Sequence, residues 1–136
     1  MYTAITNIRV RYGETDQMGM VYYGNFALYY EQGRTEAIRD LGFSYRKMET
    51  ELGIKLPVIE MNIKYRQPAR YDDLLKVKST ILEMPGRKLI FQTDIYNEDD
   101  VLLNTGITTL LFVNSNTGRP CSAPSTLVDL LKPYYK

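Results

Sequence analysis

One stretch of this chain is helical by its spacing, and nearly everything after it alternates like strand. Phe26, Tyr30, Gly33, Ala37 and Leu41 recur at steps of 4, 3, 4 and 4, which makes a single stripe over 25–41. Asn25 suits the N-cap and Gly42 the C′ position of that helix. Gly33 sits mid-stripe, where glycine costs about 1 kcal/mol relative to alanine. The compensation expected there is close approach of another backbone. A shorter helix follows over 44–52, ending at Gly53. Then Ile59, Met61, Ile63 and Tyr65 alternate with Glu60, Asn62, Lys64 and Arg66, and Leu75, Val77, Ser79 and Ile81 alternate with Lys76, Lys78 and Thr80.

Pro85-Gly86 marks a turn before a third run over 89–96, and 97–100 marks a second turn before a long strand over 101–113 that suits the sheet interior. A short alternating run, Ile8 to Tyr12, precedes the helix, and 124–132 reads as a terminal helix. One long helix and about five antiparallel strands make an α+β domain with the helix packed on one face of one sheet. At 136 residues the chain is a single domain, 1–136, able to bury a real core. One helix covers one face, yet Leu102, Leu110 and Phe112 are opposite in phase to Leu103, Ile107 and Leu111. Apolar residues on both faces predict a homo-oligomer.

Composition narrows the chemistry. Lys and Arg number 17 against 16 Asp and Glu, so a net charge of +1 gives no footprint for nucleic acid or an anionic membrane. There is no histidine. That excludes Ser-His-Asp and Cys-His catalysis, histidine-ligated zinc and imidazole acid–base work. The one cysteine, Cys121, forms no intramolecular disulfide and lies in a Pro/Ser loop with no base beside it in sequence, so it reads as incidental. No run approaches ~20 apolar residues, and Met1-Tyr2-Thr3-Ala4 opens no leader, so a cytoplasmic protein without a membrane partner is expected.

The segment from Tyr12 to Phe26 concentrates Glu14, Asp16, Gly19 and the pair Tyr22-Tyr23 just before the helix opens. A helix N-terminus presents unpaired N–H groups and positive partial charge. A carboxylate beside them is placed for work on a polarised carbonyl, the donors holding the oxyanion while the carboxylate attacks or activates water. The competing reading is that Asp16 caps a turn and the glycines serve the loop. Spacing alone leaves both open.

Asp16, Gly19, Val21, Tyr22, Tyr23, Asn25 and Phe26, followed by Glu31 and Arg34 on the helix, resemble the signature of the hotdog-fold acyl-CoA thioesterases, the 4-hydroxybenzoyl-CoA thioesterase-like family. A second block, Tyr65-Arg66-Gln67-Pro68-Ala69-Arg70-Tyr71-Asp72-Asp73-Leu74-Leu75, resembles the family too. The resemblance covers nearly the whole chain. It implies a hotdog fold and hydrolysis of an acyl- or aroyl-CoA to a carboxylic acid and free CoA, with no metal and no cofactor. It also implies a homodimer or homotetramer with the site at the subunit interface. An acyl-carrier protein can replace CoA as the thiol half.

Carried over by position, the resemblance makes Asp16 the catalytic carboxylate, nucleophile or general base, and Tyr23 the residue whose backbone N–H polarises the thioester carbonyl. Some members carry histidine at the latter position; a backbone donor does not depend on that side chain. Glu14 is secondary. The spacing of Glu31 and Arg34 allows an ion pair, helix-stabilising or catalytic. Lys64, Arg66, Arg70, Arg87 and Lys88 are expected to meet the CoA phosphates, with solvated strand edges as their alternative role. Met18, Met20, Tyr22 and Tyr23 are expected to line an acyl pocket, or else to pack the core. Asp72-Asp73, directly before a strand, reads as a turn rather than a paired-carboxylate site. A dehydratase acting on acyl-carrier protein shares the fold but relies on histidine. A non-catalytic acyl-CoA-binding or regulatory module is the alternative from another class.

Overall fold

In a computed structural model spanning residues 1–136, the chain runs β1 (Thr3–Arg9), α1 (Asn25–Asp40), α2 (Tyr45–Glu51), β2 (Ile54–Lys55), β3 (Val58–Tyr65), β4 (Leu74–Ile81), β5 (Lys88–Tyr96), β6 (Leu102–Leu111), β7 (Val113–Asn114) and α3 (Ser125–Leu131). Five strands form one antiparallel sheet in the order β1-β4-β5-β6-β3, and β2 pairs with β7 beside it. The long strand β6 lies inside the sheet, as its apolar run predicts.

Helix α1 crosses one face of the sheet. Phe26, Tyr29, Tyr30, Gly33, Arg34, Ala37 and Ile38 are its buried residues, so the stripe is broader than the sequence pattern suggests and ends at Ile38 rather than Leu41. Gly42, at φ +96°, closes the helix. Its N–H donates to the Arg39 carbonyl and the Phe43 N–H to Ile38, the paired bonds of a Schellman cap. The other end departs from expectation: Gly24 is the N-cap, and the Asn25 side chain reaches back to donate to the Glu14 carbonyl at 2.8 Å. Ser44 caps α2 by accepting from the Lys47 N–H at 3.1 Å.

Two apolar clusters fill the space between helix and sheet. One gathers Ile38, Met48, Phe91, Phe112 and Leu131; the other gathers Phe26, Tyr30, Leu75, Ile95 and Leu103 near the start of α1. Gly33 is needed where α1 meets β4, but what approaches is not backbone. A Cβ there would stand 2.6 Å from Val77 Cγ1 and 2.8 Å from Ser79 Oγ. The N-terminal strand also differs, since it ends at Arg9 and Tyr12–Glu14 form a 3₁₀ turn. The Glu14 carboxylate accepts the Arg11 N–H at 2.8 Å and holds that turn in place of further ladder. Asp72, at φ +70°, and Asp73, which accepts the Arg70 N–H at 2.8 Å, form the expected turn.

Candidate active site

The site begins with a small hairpin. Asp16 N–H donates to the Met20 carbonyl at 2.8 Å, Gly19 N–H donates to the Asp16 carbonyl at 3.0 Å, and Thr15 bridges Val21. Gly19 stands at φ +79°, a backbone region that a side chain rarely tolerates. Asp16 Oδ1 accepts the N–H groups of Met18 (2.9 Å) and Met20 (3.3 Å), while Oδ2 takes no hydrogen bond from the chain. One carboxylate oxygen therefore fixes the turn, and the other is available.

Immediately downstream the chain enters α1. Tyr22 N–H donates to the Glu14 carbonyl, Asn25 N–H to Tyr22 and Phe26 N–H to Tyr23. The N–H groups of Tyr23 and Gly24 have no acceptor in the chain. They stand at the positive end of a 16-residue helix, which favours an anion or a developing oxyanion.

The segment after β3 supplies the opposite wall. Arg66 and Gln67 N–H groups both donate to the Leu103 carbonyl, and Val21 N–H donates to Ala69 at 2.8 Å, so 66–70 is stitched against the hairpin. Between them lies a hollow of about 310 Å³, lined by Asp16, Met18, Met20, Phe26, Tyr65 and Arg66 among others. A second, more polar hollow is lined by Tyr12, Thr15, Gln17, Tyr22 and Asn25 together with Asp16. Asp16 thus lines both an apolar recess and a polar one.

Burial alone would raise the Glu14 pKa, but hydrogen bonds from the Arg11 N–H, the Arg11 guanidinium and the Tyr29 hydroxyl outweigh it and hold the carboxyl below its ordinary range. Burial and the bond to Glu14 push the Tyr29 hydroxyl up.

A sequence model of the thioesterase-like superfamily matches residues 10–131. A Bacillus subtilis protein, YneP, described as a candidate acyl-CoA thioesterase, is 35% identical over 136 residues, 100% of this chain and 98% of its own. The Escherichia coli acyl-CoA thioester hydrolase YbgC (O6:H1) is 33% identical over 125 residues, 92% of each chain. The crystal structure of a Staphylococcus aureus DHNA-CoA thioesterase superposes with a TM-score of 0.89 at 35% identity, covering 98% of this chain and 89% of that one.

The chain belongs to the thioesterase-like superfamily. Its fold is the hotdog fold, and it is a thioester hydrolase.

In this thioesterase the expected residues divide into two groups. Asp16, Met18, Tyr23 and Arg66 line the apolar hollow, joined by Met20, and Tyr22 lines the polar one with its ring 4.8 Å from that of Tyr23. Arg70 bridges Met20 and stands beside Gly19. Lys64, Arg87 and Lys88 are not brought to the site of the same chain. Lys64 is out of phase with Tyr65, on the far face of the sheet. Lys88 pairs with Leu111, seven residues of β5 away from Ile95, or roughly 24 Å at about 3.4 Å per residue. Glu31 is exposed and makes no ion pair with Arg34. Instead Arg34 turns inward beside Tyr45, only 5% exposed, with Nε and Nη1 lacking a partner in the chain.

Phe26, Tyr65, Gln67 and Pro68 line the apolar hollow without having been singled out as pocket residues. The signal for Tyr65 was present: the alternation of β3 places it on the helix-facing side with Met61 and Ile63, at the end nearest the helix entry. Its ring lies 5.7 Å from that of Phe26, and its hydroxyl 3.5 Å from the Tyr23 carbonyl.

Proposed function

We propose that this thioesterase hydrolyses the thioester of an acyl- or aroyl-CoA to a carboxylic acid and free CoA, with Asp16 as nucleophile or general base and the Tyr23 N–H at the oxyanion. The observation that carries the reading is that one apolar hollow is lined both by Asp16, whose Oδ2 takes no hydrogen bond from the chain, and by Tyr23, whose N–H has no acceptor at the start of α1. The names of the relatives, acyl-CoA thioester hydrolase and DHNA-CoA thioesterase, support the substrate class.

With the acyl group in the apolar hollow, the carbonyl oxygen takes its hydrogen bonds from the start of α1, and charge that develops there is met by donors already oriented. As a base, Asp16 takes a proton from water while the water oxygen bonds to the carbonyl carbon; collapse breaks the C–S bond, and the departing thiolate recovers the proton. As a nucleophile, Asp16 itself bonds to that carbon and expels the thiolate, and water then cleaves the mixed anhydride. Either route does without histidine, of which the chain has none. An acyl-carrier protein as thiol carrier requires only the same thioester end. Arg66 and Arg70, the basic residues next to the hollow in this chain, are the proposed partners of the CoA phosphates.

The functional unit of this reading is a homodimer or homotetramer with the site at the subunit interface. Edge strand β3 leaves Val58, Ile59 and Tyr65 about half exposed, and β6 and β5 turn Ile107, Leu111 and Ile90 to the face away from α1. Sedimentation at micromolar concentration showing only a 15.8 kDa species contradicts that assembly. The compartment is the cytoplasm in this reading, consistent with a single free cysteine and with no helix long and apolar enough to cross a membrane.

Free thiol release from a panel of aromatic, short-chain and medium-chain acyl-CoAs, read with a chromogenic thiol reagent, tests the activity. Release with at least one class is expected. Binding without release from any class identifies a non-catalytic acyl-CoA-binding or regulatory module instead.

A further inference from the structure

We propose that Glu14 is a positioning residue for the reaction, setting the Asp16 carboxylate against the free N–H groups at the start of α1. The proposal rests on the catalytic reading of Asp16. Glu14 holds the loop in two ways. Its carbonyl oxygen accepts the Tyr22 N–H at 3.0 Å and the Asn25 side-chain amide at 2.8 Å, closing the ring of residues 14–22 that carries Asp16. Its carboxylate accepts the Tyr29 hydroxyl at 2.9 Å and the Arg11 N–H at 2.8 Å.

Asn25 and Tyr29 are four residues apart on α1, so they lie on one helix face a turn apart. Two attachments at successive turns fix the angle of the loop to the helix axis as well as its distance. Tyr29 is itself packed in the core: it is 2% exposed and meets the Phe26 ring edge-on at 5.6 Å. A residue that served only the 3₁₀ turn would need its Arg11 contacts alone, and the Arg11 side chain is almost fully solvated. The bond to Tyr29 points the other way, into the core. Asp16 is two residues beyond this anchor, and a displacement of ~1 Å at a reacting group can cost about 10² in rate.

The test is steady-state kinetics on Tyr29→Phe, Glu14→Ala and Glu14→Gln, each in the wild-type and the Asp16→Asn background, with melting temperatures on the same preparations. Tyr29→Phe removes one oxygen and should lower kcat about 10-fold, and Glu14→Ala about 10²-fold, with KM within about twofold. Glu14→Gln keeps an acceptor for Tyr29 and should recover most of kcat. In the Asp16→Asn background none of the three should lower the residual rate further, because the brace acts through Asp16; a merely structural role makes the losses additive. Should Glu14→Ala fail to fold, Tyr29→Phe carries the test. Wild-type kcat in Tyr29→Phe beside an inactive Asp16→Asn enzyme overturns this proposal alone, as do additive losses. Full turnover by Asp16→Asn overturns the catalytic reading beneath it.

Discussion

Gly106→Ala should destabilise the protein measurably, although it adds one methyl group to a strand. Gly106 pairs with Ile63 of β3 on one side and Thr93 of β5 on the other, under α1. A Cβ there would lie 2.5 Å from the Asn62 carbonyl oxygen and 2.7 Å from Tyr30 Cε2. Reaching even the ~3.3 Å of a close carbon–oxygen contact requires a shift of roughly 0.8 Å. Neither obstacle gives readily. Asn62 is held in the β3–β6 ladder, and Tyr30 is fully buried with its hydroxyl donating to Asn104 Oδ1 at 2.7 Å. Overpacking of this kind costs about 1–3 kcal/mol. Reduced freedom of the unfolded chain returns roughly 0.4–1 kcal/mol. At the midpoints of those ranges the net loss is about 1.3 kcal/mol, a fall in Tm of roughly 4–5 °C for a domain of this length. Gly33→Ala should cost less, since alanine recovers about 1 kcal/mol of helix propensity and its obstacles, Val77 Cγ1 and Ser79 Oγ, are side-chain ends. Thermal unfolding followed by circular dichroism at one fixed protein concentration decides the matter, because Tm depends on concentration wherever unfolding is coupled to dissociation. A Gly106→Ala protein melting at or above wild type refutes the packing argument.

Glu14 has a lower proton affinity folded than unfolded, so its contribution is fully present above the unfolded value near pH ~4.3 and is lost as pH falls through the lower folded value. Glu14→Gln should therefore show a shallower fall in Tm between pH 5 and pH 3 than wild type, and an unchanged slope counts against the brace as drawn. The pH–rate profile should lack the limb near pH ~6.5 that an imidazole base gives, since the chain has no histidine; a limb there points to a base other than an ordinary carboxylate. Arg66→Ala and Arg70→Ala should raise KM for an acyl-CoA several-fold while leaving kcat near wild type, and unchanged KM in both removes them from the CoA groove.

The architecture was legible because it rests on period. The stripe from Phe26 to Ala37, the alternation of 59–65 and 75–81 and the turn residues at Pro85-Gly86 and 97–100 each specify an element with little tertiary help. What escaped depends on contacts between segments distant in sequence. Asn25 looks like an N-cap until Glu14, eleven residues back, offers a carbonyl that its amide can reach. Glu31 and Arg34 have ion-pair spacing, yet Arg34 is drawn inward beside Tyr45, a residue on another helix. Gly33 announced a close approach, but only the register of β4 decides that Val77 and Ser79 make it. Within the site, the two sequence blocks around Asp16 and Tyr65–Arg70 were legible separately. Their juxtaposition, through Val21 N–H to Ala69 and the bridge of Met20 with Arg70, is a tertiary fact. Sorting the basic residues likewise needed the sheet, because Arg66 and Arg70 follow β3 at the helix entry whereas Lys88 opens β5 at the far end.

Asp16→Asn separates chemistry done by Asp16 from a mere hold on its turn. The amide oxygen can still accept the Met18 and Met20 N–H groups that Oδ1 accepts, so the hairpin and the melting temperature should be nearly unchanged. The charge and the free carboxylate oxygen are gone. Turnover of an acyl-CoA, measured per folded molecule on the preparation used for melting, should fall by about 10²–10⁴ with KM little altered. A protein that loses Tm but keeps its turnover contradicts the account and returns Asp16 to a purely structural role.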